Sequence, residues 1–134
     1  MAAPEHTHVV VVNDNADFLE MMAELLADEH YPVTVIDGDR AEATDLIRAA
    51  VPDALIIDLR LGQRELHGWD VLQEVRRDPT LRELPTLVCT GDLRALGRLD
   101  AELMGMRRVD VLPKPFEIDD LFSKLRQLVQ LEPA

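Results

Sequence analysis

The sequence has few of the residues that mark a disulfide-rich, membrane or nucleic-acid-binding protein. Its 134 residues include one cysteine, which excludes a disulfide framework and a cysteine-rich zinc site and is typical of a reducing compartment. No apolar run approaches the roughly 20 residues of a membrane span, and the first residues lack the apolar core of a signal peptide. Lys and Arg number 14 against 26 Asp and Glu, a formal net charge of −12. Because nucleic acids and anionic membranes bind clustered cations, we expect a cytoplasmic protein that uses neither as its main partner.

Glycine-rich nucleotide-binding patterns are also missing. The chain contains no GxxxxGK[ST] segment, and no GxGxxG follows the first apolar run, which disfavours nucleotide enzymes. Hydrophobic residues nevertheless make up 47% of the chain, enough for a real core. The length fits one domain. We place that domain at residues 8–131, between a flexible N-terminal tail at 1–7 and a C-terminal tail at 132–134.

Strand and helix patterns alternate along this domain. Short apolar runs predict five strands, at residues 8–13, 33–36, 54–57, 84–89 and 109–112, and the first run has the pattern of a strand buried on both faces. Amphipathic stripes predict helices at 15–28, after a capping box formed by Asp39 and Glu42, around Trp69 to Val75, at 93–106 and at 116–131. Short connections between these elements imply right-handed crossovers, and so an α/β fold with a parallel sheet covered by helices on both faces.

The residues just after the strands are the informative part of the pattern. In a parallel sheet the carboxyl ends of the strands share one edge, where ligands bind. Asn13-Asp14, Asp58, Thr90-Gly91 and Lys114 would meet there. Carboxylate oxygens suit Mg²⁺, and a carboxylate also accepts a phosphoryl group as an aspartyl-phosphate. Such transfer needs positioning and charge neutralisation, which a lysine, a hydroxyl and a metal supply.

The segments VVNDN, LIIDLRL, HGWDVL, LVCTGD and VLPKPF occur in this order. Together they resemble the receiver domain of bacterial two-component response regulators, over essentially the whole chain. The resemblance implies a flavodoxin-like, doubly wound sheet with strand order 2-1-3-4-5. Because the chain ends just after the fifth predicted helix, we expect a single-domain member of the family.

The resemblance also implies a role for each residue of the edge. Asp58 would be the phosphoacceptor, with Thr90 donating a hydrogen bond to the phosphoryl group and Lys114 pairing with it. Asp14, Asp58 and the backbone carbonyl of Arg60 would bind Mg²⁺. The donor would be a histidine kinase or a histidine phosphotransfer protein, and the output would be contact with a downstream protein target. Such a protein is not an enzyme, apart from assisting its own phosphorylation and dephosphorylation.

Three positions depart from the family pattern. Asn13 stands where the family usually has a first acid, and the loss of that negative charge would weaken metal binding. Asn13 would either form a turn with its own backbone or support the metal ligands without binding the ion itself. Val111 occupies the switch position, where an aromatic residue is usual. The loop after Asp58 lacks the usual proline and brings Arg60 and Arg64 near the site, where they would alter phosphate lifetime. The family further implies a cis bond between Lys114 and Pro115.

Two other functions remain open at this point. Asn13 and Val111 motivate a receiver-like module that docks a partner without phosphorylation. A Mg²⁺-dependent phosphohydrolase acting through Asp58 is disfavoured by the missing second acid. Away from the edge, we expect His67 to lie at the surface, Cys89 to be a core residue, and the charge run Arg76-Arg77-Asp78 to be solvated.

Overall fold

A computed structural model describes residues 7–38, 42–61 and 67–130. Within these ranges each predicted strand is present, with its ends displaced by at most two residues. The elements are β1 Val9–Asn13, α1 Ala16–Asp28, β2 Val33–Asp37, α2 Ala43–Ala50, β3 Ala54–Ile57, α3 His67–Arg77, β4 Thr86–Thr90, α4 Leu93–Met104, β5 Val109–Pro113 and α5 Ile118–Gln130. Of the predicted tails, residues 1–6 and 132–134 lie outside the described ranges, whereas Thr7 is buried.

All strand pairs in the sheet are parallel, and the strand order is β2-β1-β3-β4-β5. The three inner strands are buried along their whole length, which explains their continuous runs of branched apolar residues. The doubly wound, flavodoxin-like fold is therefore confirmed. Because the strands are parallel, the carboxyl ends of β1, β3, β4 and β5 lie along one edge of the sheet.

The sheet divides the hydrophobic core into two clusters. The first cluster lies between the sheet and helices α2, α3 and α4, and includes Ile47, Leu72 and Leu103. The second lies between the sheet and helices α1 and α5, and includes Met22 and Leu125. Alternate residues of each strand point into opposite clusters, as strand geometry requires.

Two helices next to the sheet edge begin with side-chain caps. The Asn15 side chain accepts a hydrogen bond from the backbone N–H of Phe18 and starts α1. The Asp92 side chain accepts from the N–H of Ala95 and starts α4. Helix α2 begins only after Glu42, whose side chain makes no capping bond. Asp39, the predicted cap, lies outside the described residues.

The prediction that the charge run is solvated is wrong for two of its three residues. The Arg76 guanidinium is largely enclosed, and it donates to the backbone oxygens of Leu84 at 2.8 Å and Arg107 at 3.3 Å. Burial lowers the pKa of Arg76 to about 10. The Asp78 side chain is 9% exposed and pairs with Arg48. Arg76 thus joins α3 to the loop before β4 and to the loop before β5, through the backbone carbonyls of those loops.

The prediction that His67 lies at the surface is also wrong, since the structure places it in the interior, at the first turn of α3. Trp69 is half-buried against the first cluster. No helix among the residues the structure describes is both long enough and apolar enough to cross a membrane.

Candidate functional site

Asp58 lies one residue beyond the carboxyl end of β3, and both of its carboxylate oxygens are engaged. Oδ1 accepts hydrogen bonds from the Thr90 hydroxyl at 2.7 Å and from the Arg60 backbone N–H at 3.0 Å. Oδ2 accepts from the Lys114 ammonium at 2.9 Å. The side chain of Asp58 is 12% exposed. The carboxylate therefore faces a cation and a hydroxyl donor, as a phosphoryl acceptor requires.

Lys114 follows β5 and is held by its backbone as well as by its side chain. Its N–H donates to the carbonyl oxygen of Thr90 at 2.8 Å, and its bond to Pro115 is cis, as predicted. The ammonium lies over the ring of Phe18, 4.1 Å from the ring centroid. Lys114 is one of only two lysines in the chain.

Thr90 ends β4 and is fully buried. Its hydroxyl oxygen accepts a hydrogen bond from the Asp92 backbone N–H at 3.2 Å. The hydroxyl hydrogen is directed toward Asp58, because the Asp58 carboxylate can only accept a hydrogen bond and the Asp92 N–H can only donate one. The short turn between β4 and α4 thus fixes the donor that faces the carboxylate.

Asn13 is the last residue of β1 and Asp14 follows it, at the same edge of the sheet as Asp58. Asn13 is buried, and its side-chain oxygen accepts from the backbone N–H of Asn15 at 2.9 Å. Asp14 is exposed at the same edge. The turn therefore uses Asn13 to hold its own backbone, while Asp14 is exposed to solvent.

The turn after β3 bears a second pair of charges. The Arg60 guanidinium lies 3.4 Å from the Asp92 carboxylate, with the Arg60 side chain 61% exposed and that of Asp92 15% exposed. This ion pair links the connection between β3 and α3 to Asp92, the residue that caps α4. Arg64, also expected near the site, lies outside the described residues.

Gly68 brings the start of α3 directly onto the end of β3. A Cβ atom at this position would lie 1.7 Å from the carbonyl oxygen of Asp58. The Gly68 N–H donates to the carbonyl oxygen of Leu59 at 2.9 Å. Only a residue without a side chain allows this approach, so Gly68 determines how closely α3 packs against the end of β3.

Cys89 is buried in β4, next to Thr90, as expected of a core residue. Burial raises the pKa of its thiol to about 12, with the nearby Lys114 opposing the shift and Asp58 adding to it. The thiol is therefore protonated at physiological pH and is not a nucleophile.

The donor set at the edge fits a hard divalent cation. Asp14, Asp58 and the backbone carbonyl of Arg60 offer oxygen ligands only, the type that Mg²⁺ prefers alongside water and phosphate. Asn13 supplies no charge, and its side-chain oxygen already bonds to Asn15. Among the described residues no group of three or more His, Cys, Asp or Glu side chains is placed to hold a metal. Asp14 and Asp58 are the two acidic residues in the donor set, and Mg²⁺ in proteins is usually bound by one or two carboxylates together with water and phosphate oxygens.

The structure brings Asp58, Thr90 and Lys114 into hydrogen-bonding contact, as the sequence predicted, and neither of these hydrogen bonds involves Val111, the predicted switch position. That residue is half-buried and packs against the first cluster, three residues before Lys114. Sequence reasoning did not assign Phe18 or Asp92 to the site. Phe18 belonged to the apolar stripe of α1, and nothing in its spacing separates a core residue from one that faces a lysine.

Comparison with known proteins agrees with this geometry. The sequence model for "Response regulator receiver domain" matches residues 9–126. Response regulator MprA of Mycobacterium avium is 31% identical over 122 residues, which is 91% of this chain and 50% of MprA. The curated relatives include longer proteins. Hybrid signal transduction histidine kinase D of Dictyostelium discoideum is 28% identical over 94% of this chain, and the match covers only 8% of the kinase.

Solved structures are similar over nearly the whole chain. The non-phosphorylated HemR receiver domain of Leptospira biflexa has a TM-score of 0.77 and 25% identity, covering 96% of this chain and 98% of its own. The receiver domain of sensor histidine kinase PA1611 from Pseudomonas aeruginosa has a TM-score of 0.75 and 23% identity, over 93% of this chain and 98% of its own. That structure is described with a magnesium ion coordinated in its active site cleft.

Proposed function

The chain belongs to the response regulator receiver domain family of two-component signalling, and on this premise we propose that Asp58 accepts a phosphoryl group from a phosphohistidine donor. Receiver domains of this family act as phosphoacceptors and interact with histidine kinases or phosphotransfer proteins. The observation that carries the proposal is the Asp58 carboxylate, held at one oxygen by Lys114 and at the other by Thr90. The chain spans half or less of the length of its first curated relatives.

The reaction is a transfer between two covalent carriers. A carboxylate oxygen of Asp58 attacks the phosphorus, a P–O bond forms as the P–N bond breaks, and the electron pair leaves on the imidazole nitrogen. Hydrolysis reverses the modification, because water attacks the phosphorus, inorganic phosphate forms and the carboxylate is regenerated. Neither step needs an oxidant or a further co-reactant. The protein contributes positioning and charge stabilisation.

Lys114 and Thr90 supply that stabilisation. The Lys114 ammonium lies 2.9 Å from one Asp58 oxygen, close enough to pair with a phosphoryl oxygen once the acyl phosphate forms. The Thr90 hydroxyl, whose hydrogen already points at Asp58, donates to a second phosphoryl oxygen. Both groups are fixed by backbone bonds before the reaction, so little reorganisation is needed during it.

Asp14, Asp58 and the Arg60 carbonyl would hold Mg²⁺, as their oxygen donors suit that ion. When bound, such an ion would supply positive charge that offsets the charge of the transferring phosphoryl group. Asn13 contributes no negative charge, so we expect weaker Mg²⁺ binding than in a site with a second acid there. The net charge of −12 makes a protein partner a better recipient of the output than a nucleic acid.

Intact mass spectrometry tests the proposal. The protein is incubated with Mg²⁺ and acetyl phosphate, and we expect the gain of a single phosphoryl group. The mass gain should disappear in Asp58→Asn and in the absence of Mg²⁺. It should persist in Asp110→Asn, a matched control that changes an aspartate of β5, away from the site. Failure of the parent to gain mass, with a control receiver labelled under the same conditions, refutes the phosphoacceptor role.

The second candidate is a receiver-like module that docks a protein partner without phosphorylation. Asn13 and Val111 favour it, because one removes a charge from the metal site and the other replaces the usual aromatic switch. Under this function Asp58→Ala leaves partner binding unchanged, and Mg²⁺ has no effect on it. Under the phosphoacceptor function the same variant loses regulation of that binding.

A further inference from the structure

We infer that Phe18 is a positioning residue for Lys114, holding the ammonium over Asp58 through a cation–π contact. The inference rests on the proposed phosphoacceptor function and assigns a further residue to its site. The ammonium lies between two groups: the ring of Phe18, 4.1 Å away at its centroid, and the Asp58 carboxylate oxygen, at 2.9 Å. The face of an aromatic ring attracts a cation at this distance.

The ring holds the ammonium in a way that a polar side chain would not. Lysine has a flexible four-carbon stem and three rotatable N–H donors, so its charged end needs a restraint to stay at one point. A carboxylate in place of the ring would restrain it by competing with Asp58 for the same donors. The ring attracts the charge and leaves the N–H donors directed toward Asp58. It also covers one side of Lys114, whose side chain is 27% exposed.

Phe18 is itself fixed by the turn that carries the departure from the family pattern. Asn13 accepts a hydrogen bond from the backbone N–H of Asn15, and Asn15 accepts one from the backbone N–H of Phe18, both at 2.9 Å. The ring then packs against the second cluster. A continuous series of contacts therefore runs from Asn13 through Phe18 to Lys114, and ends on Asp58.

A spectroscopic measurement tests the placement of the ammonium independently of phosphorylation. The chain has two lysines, so protein labelled with ¹³C-lysine gives two sets of Cε–Hε signals. The ring current of Phe18 should shift the Lys114 signal upfield, while Lys124 serves as the internal reference. Phe18→Leu should abolish the shift and Phe18→Tyr should retain it. An unchanged Lys114 signal in Phe18→Leu overturns the contact.

The kinetic test asks whether the contact matters for the reaction. We expect Phe18→Leu to slow phosphorylation by acetyl phosphate about fivefold, and Phe18→Tyr to restore the rate. Phe122→Leu is the matched control, because it removes a more buried ring of the same cluster, stacked on Tyr31, without touching Lys114. If both Leu variants slow equally, the effect is one of stability and the inference fails.

Two further outcomes are informative. If Phe18→Leu slows transfer from a phosphohistidine protein but leaves the reaction with acetyl phosphate unchanged, the ring contacts the donor protein and the positioning role is refuted. If the parent itself gains no phosphoryl group, the proposed function fails. The lysine signals then still report whether Phe18 holds the ammonium, so the two failures are distinguishable.

Discussion

Gly68→Ala and Gly97→Ala make the same chemical change with opposite expected results. At Gly68 the new methyl group would lie 1.7 Å from the Asp58 carbonyl oxygen and 2.8 Å from the Leu59 carbonyl carbon. Both neighbours are backbone atoms, so the overlap is relieved only if α3 moves away from β3. Overpacking of this kind typically costs about 1–3 kcal/mol. Loss of the Gly68 hydrogen bond to Leu59 adds roughly 1 kcal/mol.

We therefore expect Gly68→Ala to lower the free energy of unfolding by about 2–4 kcal/mol. Gly97 lies on the exposed face of α4 with no atom within 4 Å of its added Cβ. Since alanine is the better helix former, Gly97→Ala should raise stability by about 1 kcal/mol. Urea unfolding followed by circular dichroism measures both values under the same conditions.

Gly68→Ala should also be phosphorylated by acetyl phosphate more slowly than the parent, under conditions where the variant remains folded. The reason is that displacement of α3 moves the backbone of Asp58. A Gly68→Ala protein that matches the parent in urea midpoint would refute the packing argument. A variant that loses stability but keeps the parental phosphorylation rate would show that the site does not depend on how closely α3 packs against β3.

Three smaller predictions concern other residues. Val51 has a left-handed φ of 51° and is 77% exposed, so Val51→Gly should raise the free energy of unfolding by about 1 kcal/mol in urea titrations. Hydrogen bonds, the strongest from the Thr80 side chain and the next from Arg48, lower the pKa of Asp78 from 3.8 to about 2. The stability that the ionised Asp78 adds to the folded protein is therefore present above pH 4 and is lost as the pH falls toward 2. The urea midpoints of the parent and of Asp78→Asn should converge over that interval. Arg60→Ala removes the exposed ion pair with Asp92. In this variant, hydrolysis of the phosphoryl group from phosphorylated protein should accelerate by at most about fivefold.

The sheet and the edge were predictable because they depend on local signals. A run such as Val9 to Val12 specifies a strand buried on both faces, and the parallel arrangement then brings the residues after each strand to one edge. Asp58, Thr90 and Lys114 meet as expected for that reason. Helix α2 was less predictable, because its first residue has no capping side chain to mark it.

The remaining features depend on contacts between distant parts of the chain. In the sequence, Arg76 beside Arg77 has the pattern of a solvated charge, yet its guanidinium donates to carbonyls of the loops before β4 and β5. His67 follows a polar loop in sequence but is buried by the approach of α3 to β3. Phe18 has the spacing of a core residue, and only the folded chain shows that a lysine lies over it.

The two oxygens of Asp58 are connected to opposite layers of the protein. Oδ2 leads through Lys114 to Phe18 on α1, in the layer of the second cluster. Oδ1 leads through Thr90 to the turn that begins α4, in the layer of the first cluster. In the proposed acyl phosphate the Asp58 carboxyl group carries no negative charge and accepts hydrogen bonds less strongly. The Lys114 ammonium and the Thr90 hydroxyl would then both rebond to phosphoryl oxygens, so each layer would change its contact at the edge. A single covalent event at Asp58 would thus act on both sides of the sheet.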